Sequence, residues 1–429
     1  MLDDYKRIRV LSCDHLNLAR GKYVPVAMAA KGRINACVGI YAVDYKRDLI
    51  PAPGSGMDTG LGDLIAVYDT DEIRTGWEKD TGVVVADLHS EDQPYPICGR
   101  SVLKKALADW KTLGYGVKIG IELEAYVFER DDDGKWVPYD TPGAYVYGTG
   151  PSVDPAGLMD TIWEEADRLG FPVETICSEY DASQFEFALV YDDALAALDN
   201  LFLFRLMAKE LLIKRGYLFS YMPKPINGRG GTGMHLNISL CDEQGDNALD
   251  DPGTDDGLSD MVKPMVAGLT KHHQSLAALM CPTVNSYKRL RPSNICGYAG
   301  NWGYDHRMAT TRIPAERGKG SRIEHRLADC ASNPYVATAA ALQACLLGYT
   351  KNYPVPAPEL NEDFEEPDMS NVVPDTMGEG LTILEADTDF TAAIGQAMVD
   401  HFIAIKRKEW NDYLDHTTDW EMSTYLEFI

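Results

Sequence analysis

No run of about 18 or more apolar residues occurs in the 429-residue sequence, so no membrane-spanning helix is expected. The start, Met1-Leu2-Asp3-Asp4-Tyr5, is acidic and lacks the apolar centre of a secretory leader; the expectation is a cytoplasmic protein. CxxC pairs are missing too. Nine cysteines stand singly, at 13, 37, 98, 177, 241, 281, 296, 330 and 345, which predicts reduced thiols that mostly pack. Positive charge is scarce: 40 Lys+Arg face 66 Asp+Glu, a formal charge of −26. That excess argues against nucleic acid or an anionic membrane as a partner and suits sites that hold cations. Hydrophobic residues at 45% and charged residues at 25% are the proportions of a folded chain with a sizeable core. No fixed-period repeat is present.

Up to about residue 98 the chain is rich in Gly and Pro, with short apolar runs at Ile34–Tyr41, Leu64–Tyr68 and Val83–Leu88 that read as strands. Beyond that point long helices are legible. One is expected at Ser101–Leu113 behind a Ser N-cap, and one from Asp154-Pro155 to Leu169 before Gly170. Others are expected at Asp193–Arg215, Asp260–Met280, Asn333–Tyr349 and Phe390–Asp415, with Gly348–Gly380 as loop. The division is therefore a small amino-terminal unit, 1–98, and a larger one, 99–429, of α+β class.

Four segments alternate. Val117–Phe128 places Glu122 and Glu124 opposite Ile121 and Leu123, and Gln184–Val190 places Gln184 and Glu186 opposite Phe185 and Phe187. Gly233–Leu240 sets His235, Asn237 and Ser239 against Met234, Leu236 and Ile238, while Arg322–Leu327 sets Arg322, Glu324 and Arg326 against Ile323 and His325. Residues two apart on a strand share a face, so each segment presents a row of chemical groups on an apolar platform. A single such row is ordinarily a solvated strand face. Four together concentrate Glu122, Glu124, Glu186 and Glu324 with one imidazole, and with Glu179 just ahead of the second segment such a group shares a pocket only with cations. Carboxylates and a single His suit Mg²⁺ or Mn²⁺ better than zinc, and neighbouring arginines suit phosphoryl and carboxylate groups. The constellation suggests metal-assisted phosphoryl transfer.

The motifs IELEAYVFE (121–129), SEYDASQFEFAL (178–189), GGTGMHLNISL (230–240), NSYKRLRP (285–292), NWGYDHRMATTRIP (301–314) and RIEHRLADCASNPYVATAAALQACLLG (322–348) resemble the glutamine synthetase superfamily in its own order. The ending TDWEMSTYLEFI (418–429) does so too, and DHLNLARGKYVP (14–25) matches weakly. The resemblance implies a β-grasp-like amino-terminal domain and a catalytic domain built on a curved antiparallel sheet flanked by helices. It implies ATP as cosubstrate and two or three Mg²⁺ or Mn²⁺ ions, one held by Glu124, Glu179 and Glu186 and a second by Glu122, His235 and Glu324. Arg289, Arg307 and Arg326 would grip glutamate and the transferring phosphoryl group, with Arg289, Arg307 and Glu179 carrying the catalysis. Asn237, Ser239, Arg312 and Arg322 would lie on the ATP side, and Gly231 in the loop that touches glutamate. The implied assembly is a dodecamer of two hexameric rings, with active sites between subunits.

Two positions depart from that family. Its flap often carries a glutamate that helps deprotonate ammonium, where this sequence has Ile295 in RPSNICGYAG. The aspartate that binds ammonium falls on Tyr41 or, with a shift, Asp44 in VGIYAVDYKRD. Alternatively, another loop supplies the missing carboxylate. Exchanging carboxylates for Ile295 and Tyr41 makes the amine pocket less anionic and more apolar, which points to a short alkylamine such as methylamine. Ammonia or a polyamine are the alternatives. Elsewhere, NGRGGTG (227–233) lacks the GK[ST] ending of a phosphate loop and DDDG (131–134) reads as a hairpin turn. His272, His273 and His325 read as packed histidines.

Overall fold

Short apolar alternations in the first hundred residues build two small sheets in the computed structural model, which describes residues 2–58, 60–292, 295–360 and 369–429. The strands are β1 (Arg7–Cys13), β2 (Ala19–Pro25), β3 (Arg33–Cys37), β4 (Asp63–Val67), β5 (Arg74–Thr75), β6 (Thr81–Val85), β7 (Asp87–Ser90) and β8 (Gln93–Pro94). They pair in the orders β2-β1-β6-β5 and β3-β4-β7-β8, with β1 and β6 parallel. Ile8, Val10 and Val84 point into a small core with Leu64 and Leu88, while Leu11, Cys13, Val83 and Val85 join the large core of the rest of the chain. Both faces of β6 are thus covered, and all five of its residues are buried. Two expected strands change. The run 83–88 breaks after Val85 and resumes as β7 in the other sheet; the run 34–41 leaves the sheet at Cys37 and turns through a 3₁₀ segment, Val38–Tyr41.

Beyond residue 98 the helices fall close to their expected positions, and their ends show why. The helix Ala194–Lys214 stops before Gly216 at φ 90°, a left-handed value that favours glycine. Asn333 caps Pro334–Lys351 through bonds from the Tyr335 and Val336 amides (3.0 and 3.2 Å). Four expectations are corrected. Gly99–Thr112 begins before Ser101, with Cys98 at the N-cap and no side-chain bond. The helix after Asp154-Pro155 starts only at Leu158, where the Asp154 carboxylate accepts from the Met159 amide (2.7 Å). The Asp260–Met280 stretch breaks at His272 into Val262–Lys271 and His273–Met280, and Gly395 (φ 122°) splits the last long run into Thr388–Ile394 and Gln396–Leu414. Within the expected 348–380 loop, 361–368 lie outside the described residues, and its ends are helical at Lys351 and from Met377.

The large sheet comprises β9 (Gly116–Arg130), β10 (Trp136–Pro138), β11 (Val173–Ser178), β12 (Gln184–Asp193), β13 (Leu218–Ser220), β14 (Met234–Cys241), β15 (Trp302–Tyr304), β16 (Thr311–Ile313) and β17 (Ile323–His325). Its main path runs β11-β12-β9-β14-β17-β16-β15, antiparallel as expected apart from one parallel pair at the edge, β15–β16. Ile121, Leu123, Phe185, Phe187, Leu236 and Ile238 turn into the core with Leu198, Leu201 and Phe204 of the long helix. Truncating Phe187, which has no exposed surface, to Ala would cost about 3–5 kcal/mol. That core fixes the register, because a slip of one residue would put it in water. The loop after β9 turns at Asp131–Lys135 with Gly134 at φ 76°, a hairpin as expected.

Candidate active site

Register on the large sheet places the chemical groups. Glu124 pairs across to Glu186, Glu122 to His235, and Asn237 to Glu324, which in turn pairs to Arg312. Opposed strand residues lie about 4.5–5.5 Å apart at Cβ, so adjacent strands assemble the two ligand sets. Glu122, His235 and Glu324 bring one ligand atom each within 4.8 Å of one another, and Glu124, Glu179 and Glu186 do the same. Glu179 reaches its set from the turn after β11, where its carboxylate accepts from the Tyr180 amide.

The electrostatics of the two sets differ. Burial alone would raise the Glu122 carboxyl, but the His235 ring (Nδ1 at 3.1 Å), the Asn237 amide (3.0 Å) and Arg326 bring it down to about 2. Glu324, beneath, is likewise held down against burial by Arg326, His235 and Arg312 (2.7 Å). In the other set, burial and the charge of Glu179 push Glu124 up, and burial with Glu122 and Glu179 pushes Glu186 up to about 7. Three carboxylates converge there, and too little positive charge faces Glu124 and Glu186 to offset their burial. That is the chemistry of a cation site, and hard oxygen ligands fit Mg²⁺ or Mn²⁺.

Both sets face a cavity of about 1260 Å³. Glu122, Glu124, Glu179, Glu186, His235, Gly231, Asn237, Ser239, Arg289, Ile295, Arg307, Arg312, Arg322 and Arg326 line it; Glu324 sits behind the wall. Arg312 bonds Asp305 and Glu324, and Arg322 donates to Asn237 (3.1 Å), so these two arginines are tied into the wall. Arg307 projects into solvent, whereas Arg289 is buried and donates to the Leu327 carbonyl (2.9 Å). Ile295 is 59% exposed at the rim.

Tyr41 and Asp44 lie elsewhere. The Tyr41 side chain is fully buried among the rings of His15, Tyr95 and His401, because its segment turned off β3 into the small core. With no surface of the side chain exposed and none of it lining the cavity, its assignment to the amine pocket is corrected. Asp44 stands on a turn, accepting from the Asp48 amide (2.9 Å), outside the cavity of its own chain. His272 and His273 are packed at the helix break, bonded to Asp387 and the Tyr298 carbonyl, and His325 is buried against Thr311.

Asp181 and Gln184 line the cavity and were not singled out as site residues. Asp181 Oδ2 accepts from the Gly230 amide and the Tyr126 hydroxyl (3.5 Å), and both bonds leave Oδ1 out. Asp181 sits in an aperiodic turn, where alternation gives no signal. Gln184 stands in the polar row of β12 but carries no charge, and a search for carboxylates passes over it.

Frame and site are those of an ATP-dependent carbon–nitrogen ligase. Residues 96–425 match the family described as glutamine synthetase, catalytic domain, and the chain belongs to that family. A glutamine synthetase of Clostridium saccharobutylicum is 34% identical over 361 residues, 82% of this chain and 81% of that protein. A glutamate–methylamine ligase of Methyloversatilis universalis is 33% identical over 403 residues, 88% of each. A solved structure described as a GmaS/ADP complex matches at TM-score 0.86 and 28% identity, covering 99% of this chain and 97% of that one.

Proposed function

We propose that this enzyme joins the γ-carboxylate of glutamate to a short primary alkylamine, such as methylamine, giving a γ-glutamylamide, ADP and phosphate. The observation that carries the reading is Ile295, an apolar side chain 59% exposed at the cavity rim. An alkylammonium offers three N–H donors and an apolar tail, so a pocket for it wants one acceptor and an apolar surface. Asp181 Oδ1 is the acceptor we assign, and Ile295 the apolar surface.

Glu124, Glu179 and Glu186 would hold one Mg²⁺ or Mn²⁺, and Glu122, His235 and Glu324 a second. Bound there, such ions supply positive charge beside the phosphates. The chain's own groups do the rest. Arg307 and Arg326 neutralise the phosphoryl group in flight, Arg289 packs against the Gly231 loop that faces glutamate, and Asn237, Ser239, Arg312 and Arg322 form the nucleotide side. A γ-carboxylate oxygen of glutamate attacks the terminal phosphorus of ATP, and the bond to the bridging oxygen breaks, releasing ADP. The amine nitrogen, having given one proton to Asp181 or water, attacks the acyl carbon; phosphate leaves with the C–O electron pair, and the second N–H proton passes to the departing phosphate or to water.

Active sites shared between subunits of a ring assembly, with Asp44 of a neighbour completing the amine side, are part of the same reading. The relative from Clostridium favours ammonia as the second reading. An amine panel with ATP, glutamate and Mg²⁺ separates the two: phosphate release fastest with ammonia and negligible with methylamine or ethylamine would defeat the alkylamine reading.

A further inference from the structure

Gln184 is 2% exposed on β12, and its single amide nitrogen donates twice: to Glu124 Oε2 and to the Gly231 carbonyl, each at 2.9 Å. Both partners are acceptors, which fixes the orientation of the amide. Its Oε1 is buried and has no partner among the described residues. Glu124 Oε2 also receives the Gly233 amide (2.9 Å). One carboxylate oxygen is therefore bonded to Gln184 and to the loop, while Oε1 of the same Glu124 faces the His235 ring (3.9 Å).

The loop is closely packed around these bonds. A Cβ on Gly231 would meet the Pro223 carbonyl at 2.5 Å and Arg289 Cγ at 2.8 Å; one on Gly233 would meet Arg289, Glu124 and His235 at 3.1–3.2 Å. Tyr126 separately holds the neighbouring Gly230 carbonyl (3.1 Å) without touching Glu124. Tyr126 and Asp181 thus hold Gly230 and Glu124 holds the Gly233 amide directly, while Gln184 ties that same Glu124 oxygen to the Gly231 carbonyl.

We propose that Gln184 is a positioning residue that couples the Glu124–Glu179–Glu186 cation site to the Gly230–Gly233 loop, so that a divalent cation and glutamate each strengthen binding of the other through it. A cation that fixes the plane of the Glu124 carboxylate fixes Oε2, hence the Gln184 amide, hence the direction of the Gly231 carbonyl. Coupling is reciprocal, so it reads equally from either ligand. This rests on glutamate as the acceptor acid.

The test is a double titration of the full-length protein. Glutamate affinity is measured calorimetrically without cation and at saturating Mn²⁺, and Mn²⁺ affinity by electron paramagnetic resonance with and without glutamate. The wild type is expected to show mutual tightening of about 5-fold or more. In Gln184→Met, and in the nearly isosteric Gln184→Glu if the first does not fold, the factor should fall below about 2-fold. Tyr126→Phe should weaken glutamate under both conditions yet keep the wild-type factor. A folded Gln184 variant that retains the full factor, or a wild type without coupling, overturns the inference. Failure of glutamate to bind the wild type at all would instead overturn the reading of the substrate.

Discussion

In the proposed reading, Ile295 and Asp181 set the character of the amine end. Replacing Ile295 with Glu adds a carboxylate at the rim, and the expected outcome is a shift of kcat/KM toward ammonia relative to methylamine; an unchanged ratio in a folded variant removes Ile295 from the account. Asp181→Asn keeps the shape but removes a charged acceptor, whose hydrogen bonds are worth about 1.5–3 kcal/mol. That corresponds to about 10–150-fold in kcat/KM for the amine, with KM for ATP little changed. Steady-state kinetics with each substrate varied in turn decides it. Tyr41 shows how residue-level inference fails. Its position follows from where β3 ends, and the apolar run 34–41 carries no mark of the turn at Cys37 that sends the ring into the small core. Glu122, Glu124, His235 and Glu324 were legible because strand alternation alone decides which way they point.

At the scale of elements, the carboxylates on β9 and β12 and in the turn after β11 make cation binding a proton-linked event. Glu186 is pushed up to about 7 and Glu124 is also raised; both must be ionised to act as ligands. Mn²⁺ affinity should therefore rise, and protons be released on binding, as pH increases from about 6 to about 8. A pH-independent dissociation constant would contradict this. The helices set a different dependence. His273 and His401 are buried and lowered to about 4, His401 Nε2–H donating to the Tyr41 carbonyl (2.8 Å). Their folded pKa lies below the unfolded value of about 6.5. The unfolded chain then binds more protons between those limits, and stability present above about pH 6.5 is lost as pH falls toward 4. In His401→Phe the fall of Tm over that range should be shallower, as differential scanning calorimetry can show. Helix ends were readable where a glycine or an Asn cap marks them, as at Gly216 and Asn333. The break at His272 was not, because a helix that bends around Asp387 and Tyr298 does so for tertiary reasons.

At the scale of the whole molecule, the charge of −26 is spread far beyond the site. Five glutamates belong to the two ligand sets, so most of the excess is surface, and like-charge repulsion there should make Tm rise with added salt. The sheet β2-β1-β6-β5 gives one face to each core, so the small and large units are expected to melt together rather than in separate steps. The sequence divides them by composition but does not announce a sheet shared between two cores. Joined to the family's ligase chemistry, the claim that matters most is the identity of the amine. Initial rates of ADP formation with ATP, glutamate and Mg²⁺, taken across ammonia, methylamine, ethylamine, isopropylamine and putrescine, test it most directly. The account predicts the highest kcat/KM for a short monoamine; a maximum at ammonia with negligible methylamine turnover would contradict it.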